Sequence, residues 1–86
     1  MLITASITKK NIAEGKQMSP DACPIALAIK DTGIFKDVKV TPMGLWLDGV
    51  LYAGENFPDD VREKMEKYDA YGEMTPFHLL LKIPDD

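Results

Sequence analysis

Apolar and polar residues alternate at the start of the chain, with Ile3, Ala5 and Ile7 interleaved by Leu2, Thr4 and Ser6. A period of two belongs to a β-strand with one buried face. Thr8 then stands where a helix N-cap belongs, and Lys9 to Glu14 followed by Gly15 predicts a single short helical turn. The next apolar segment, Ile25-Ala26-Leu27-Ala28-Ile29, predicts a buried helix ended by Gly33. Its start has two readings: Cys23 as N-cap with Pro24 at N1, or Ser19 as N-cap with Pro20 at N1. Phe35 to Thr41 predicts a strand, Pro42-Met43-Gly44 a turn, and Leu45-Trp46-Leu47 a second strand. Asp48-Gly49 is a strong hairpin signal, because both central residues of a type I′ turn need positive φ. It leads into Val50 to Ala53, so a three-stranded meander is expected from Phe35 to Ala53.

Gly54 to Phe57 reads as loop, and Pro58 at N1 with Asp59 and Asp60 in the first turn marks another helix. Val61, Met65 and Tyr68 form its apolar stripe, Glu63 and Lys67 are spaced for an ion pair, and Gly72 ends it. Pro76 to Ile83 predicts a last strand with Phe77, Leu79, Leu81 and Ile83 on one face. The whole predicts one small α+β domain over residues 1–86. Its parts are an antiparallel sheet of four or five strands with a central meander, two main helices on one face and one helical turn.

Composition narrows the function classes. The sequence is 45% hydrophobic and 28% charged over 86 residues, which suits one small soluble core rather than disorder. No apolar run approaches the roughly 20 residues of a membrane span, and the N-terminal residues lack the order of a secretory signal. One cysteine permits no intrachain disulfide, so a reduced, cytoplasmic setting is expected. Residues 1–47 carry six lysines against four acids, and residues 48–86 carry four bases against ten acids. No basic stripe emerges, which argues against nucleic-acid binding; a minor alternative uses Lys9, Lys10 and Lys16. The glycines are scattered rather than gathered into a phosphate loop, and no metal-ligand spacing occurs, so neither a cofactor nor a metal is expected.

Candidate chemistry rests on few side chains. Cys23 at a helix N-terminus is placed where a thiolate is favoured, and His78 is the sole histidine that could serve as its base. The plainer reading of Cys23 is a buried cap residue acting as a small hydrophobe. His78 alternates with Phe77 and Leu79 and so faces away from them. Trp46, Tyr52, Tyr71, Met43 and Met74 are candidates for a binding surface, since aromatics and methionine are enriched at interfaces. Trp46 faces away from Leu45 and Leu47, which makes it either part of a second core or a surface for a partner or a homodimer.

Several anchors recur together: Thr8-x-x-x-Ile12-Ala13-x-Gly15, Cys23-Pro24-Ile25-Ala26-Leu27-Ala28, Phe57-Pro58-x-x-Val61-Arg62, and Tyr68-Asp69-x-x-Gly72-x-x-x-Pro76-Phe77-His78-Leu79. As an ordered set covering nearly the whole chain, they resemble small uncharacterised proteins encoded by bacteriophages and prophages. The resemblance implies a genomic origin and a setting in host cytoplasm, with no activity to carry over. It also implies a second cysteine just upstream of Cys23, where this chain has Asp21 and Ala22, which counts against a two-cysteine site. The expected function is a non-enzymatic accessory protein that binds a host or phage protein and inhibits a host factor or defence system. The alternative is a small enzyme or redox protein using Cys23.

Overall fold

The computed structural model describes residues 1–84. Five strands and three helices follow the predicted order: β1 (Leu2–Ile7), α1 (Lys9–Glu14), α2 (Pro24–Asp31), β2 (Val38–Thr41), β3 (Gly44–Leu47), β4 (Val50–Tyr52), α3 (Asp59–Tyr71) and β5 (Phe77–Lys82). A 3₁₀ turn, Gly54–Asn56, precedes α3. The fold is α+β, but the strands form two antiparallel sheets rather than the single sheet expected. β1 pairs with β5, and β2, β3 and β4 form the meander.

The separation has a local cause. The buried Asn56 side chain accepts from the Lys82 backbone N–H at 2.6 Å and donates to the Lys82 carbonyl at 3.0 Å. One amide thus supplies what a neighbouring strand would, and closes β5 at that position. On the meander side, the Val40 N–H donates to the Pro20 carbonyl at 2.7 Å, which occupies the free edge of β2 with a loop. α2 packs on both β1 and β2 and so joins the two sheets through one core. Ile3, Ala5 and Ile7 meet Ile25, Ala26 and Ile29 there, with Val38, Val40, Leu45 and Leu47 from the meander. Val61 and Met65 of α3 complete this core, and the third stripe residue, Tyr68, is also buried and donates its hydroxyl to the Ile12 carbonyl.

Several boundaries differ from expectation for identifiable reasons. β2 starts at Val38 rather than Phe35, because the Asp48 carboxylate accepts from the Lys36 and Asp37 N–H groups, each at 2.9 Å, and holds them in a turn. Pro58 is the N-cap of α3, not its first helical residue. Lys67 pairs with Glu73 at 3.6 Å instead of Glu63. Gly15 is extended at φ −67°, so it is not a left-handed cap; a Cβ there would sit 2.7 Å from the Pro24 ring. The Asp48-Gly49 turn is as predicted, with φ of 50° and 84°.

Two elements were not anticipated. Phe57, read as loop, is 1% exposed and heads the fully buried side chains by size. Asn11, at the third position of α1, closes a capping box with Thr8 and donates to the Asp31 carboxylate at 2.8 Å, tying α1 to the end of α2.

Candidate functional site

α2 starts at Pro24 with Cys23 as N-cap, which decides between the two expected starts. The Cys23 sulfur accepts from the Ala26 N–H at 3.4 Å, while the residue is buried in the core. Burial pushes the thiol above its ordinary value; the Ala26 and Ile25 N–H groups pull less strongly the other way, and the Asp69 carboxylate adds to the rise. Desolvation therefore outweighs the helix terminus, the reverse of what activates a nucleophilic cysteine. A cavity of about 220 Å³ reaches Cys23 between Met18, Pro20, Val40 and Met65. Its walls are mainly apolar, Asp69 is the one carboxylate among them, and His78 is not part of the lining.

The structure does not bring His78 to Cys23. His78 is exposed on the outer face of the β1–β5 ribbon, where its Nδ1 lies 3.0 Å from the Ser6 hydroxyl. Among the described residues no three His, Cys, Asp or Glu side chains converge to hold a metal ion. Asp59 and Asp60 are engaged with Arg62 at 2.8 Å and Lys64 at 3.4 Å. Among the described residues no helix is long and apolar enough to cross a membrane. Of the N-terminal lysines, Lys10 lies 4.0 Å from Glu14.

The five surface candidates do not form one surface. Tyr52 and Met74 are half-buried and pack against the core. Tyr71, 75% exposed, lies at the far end of α3. Trp46 and Met43 belong to the meander. There Leu45 and Leu47 are buried, which turns Trp46 to the opposite, outer face between Lys39 on β2 and Leu51 on β4. Met43 sits exposed in the β2–β3 turn, and Leu51 and Val50 are exposed on β4. The outer face of the meander thus carries a row of one cation, one indole and one leucine, and behind it the inner face is packed at Val38, Val40, Leu45 and Leu47.

Leu51 was missed as a site residue, although the turn signal held its address. A two-residue turn at Asp48-Gly49 pairs Leu47 with Val50 and hence Trp46 with Leu51. Arg62 supports the same hairpin from α3: its Nε donates to the Pro42 carbonyl at 3.0 Å while its guanidinium lies 5.6 Å from the Phe57 ring centre. Comparison with protein-family models, curated proteins and solved structures finds no match to this chain.

Proposed function

We propose that this chain is a non-enzymatic protein-binding module that works in the cytoplasm of a bacterial host, as the phage resemblance implies, by contacting and inhibiting a host factor. The observation that carries the reading is the Lys39–Trp46–Leu51 row on the outer face of the meander, where Lys39 and Leu51 are exposed and the Trp46 indole is half-buried, with exposed Met43 in the β2–β3 turn of the same meander. Interface hot spots favour such an anchor: a large aromatic with a rigid back and a polar rim. The buried, desolvated Cys23 and its separation from His78 weigh against the thiol-enzyme alternative.

The test is affinity capture from bacterial lysate with the tagged chain, compared with Leu51→Asp and Trp46→Ala forms of the same thermal stability. A discrete partner held by the wild type and lost by both variants supports the reading. Equal capture by all three forms, or no discrete partner, overturns it.

A further inference from the structure

We propose that the outer edge of β1 is completed by a second copy of the chain, two β1 strands pairing antiparallel about Thr4 to give a continuous four-stranded β5–β1–β1–β5 sheet. This contact is separate from the meander face and does not rest on it.

The backbone directions follow from the register. Met1 and Ile83 exchange both backbone bonds, at 2.7 and 2.9 Å, so in the β1–β5 ladder Ile3, Ala5 and Ile7 turn their N–H and C=O groups toward β5. Leu2, Thr4 and Ser6 therefore turn theirs away from it. The Asn56 bonds to Lys82 confirm the same alternation on the other strand, because Lys82 is the partner of Leu2 and its groups also point outward. No backbone bond reaches Leu2, Thr4 or Ser6 from outside the ribbon among the described residues.

The two edges of the ribbon are treated differently. β5 is closed at Lys82 and carries His78 and Lys82, whereas β1 has six residues with no charge and no proline. Edge strands that stay unpaired are usually protected by lysine, proline or a bulge, and β1 has none of these. Its outward residues are self-complementary about a two-fold axis: Thr4 meets Thr4, and Leu2 meets Ser6. Threonine pairs are favourable across strands, and no like charges oppose each other in this register. The three hydrogen-bonded pairs supply about six backbone bonds. One added strand buries less than the roughly 1,200 Å² of stable complexes, so the dissociation constant falls near about 0.1 mM. With a net charge of −4 on each copy, added salt strengthens the dimer.

Sedimentation equilibrium from about 10 µM to about 1 mM, with amide exchange by NMR over the same range, tests the proposal. The expected result is a monomer–dimer equilibrium in which the Leu2, Thr4 and Ser6 amides gain protection as the dimer forms. Thr4 is exposed and its side chain faces solvent, so Thr4→Lys and Thr4→Glu leave the monomer folded. Each alone weakens self-association about tenfold, and an equimolar mixture of the two restores it. A chain that stays monomeric at about 1 mM, a dimer without Thr4 protection, or two variants that do not rescue each other overturns the proposal. So does a Thr4 amide protected only by some other added protein. The wild-type exchange measurement decides even if a variant misfolds.

Discussion

Replacing Phe57 by alanine should be among the most damaging single changes in the chain, although it lies between a 3₁₀ turn and a helix rather than within either. The ring is 1% exposed and packs into the shared core. Removing it loses its transfer free energy and leaves a cavity, about 3–5 kcal/mol together. The Arg62 guanidinium over its face adds roughly 0.5 kcal/mol, discounted because Arg62 is partly exposed. A chain of this size has a total stability of about 4–13 kcal/mol, so Phe57→Ala removes about a quarter of it or more. The melting temperature should fall by roughly 15–30 °C. Urea unfolding followed by the fluorescence of Trp46, the sole tryptophan, measures this directly. Tyr71→Ala, at a 75% exposed position, is the reference and should shift stability by no more than about 0.5 kcal/mol. If Phe57→Ala shifts the midpoint no more than Tyr71→Ala, the packing of Phe57 into the shared core is not as described.

Other outcomes follow from the same contacts. Gly15→Ala has an acceptable φ but drives a methyl into the Pro24 ring, so it should cost about 1–3 kcal/mol in thermal unfolding; a neutral result would mean that the α1–α2 loop yields freely. Cys23 has its thiol pushed up by burial, so the folded state holds its proton more tightly than the unfolded state. Its contribution is present at neutral pH and is lost as pH rises through the unfolded value, about 8.5, and beyond. Stability should therefore decline above that pH in the wild type and decline less in Cys23→Ala, by urea titration at each pH. Thiol labelling of the native protein should likewise show no thiolate near pH 7. Rapid labelling at that pH would restore the reactive-cysteine alternative.

The order of elements was legible because each has a local signature. The period of two in β1, the Asp48-Gly49 turn, the Cys23-Pro24 start and the Val61–Met65–Tyr68 stripe all depend on neighbours within a few residues. The sheet arrangement was not, because it turns on Asn56 reaching a carbonyl and an N–H 26 residues away. An asparagine two residues after Gly54 and two before Pro58 reads as a turn residue, and nothing nearby marks it as a substitute strand. Phe57 escaped for a related reason: one aromatic between Asn56 and Pro58 has no period to reveal its burial. The surface candidates divided along the same line. Alternation correctly turned Trp46 away from Leu45 and Leu47, but Tyr52 and Met74 are half-buried against the core, which their composition alone did not reveal.

The central claim is that the outer face of the meander binds a protein, and equilibrium titration of a captured partner with wild-type chain and Leu51→Asp tests it most directly. Leu51 is exposed and faces outward, so the variant should keep the wild-type melting temperature. A charge placed against Trp46 at the centre of the strip should raise the dissociation constant about 30-fold or more, the scale of a hot-spot loss. An unchanged dissociation constant with unchanged stability would contradict the account.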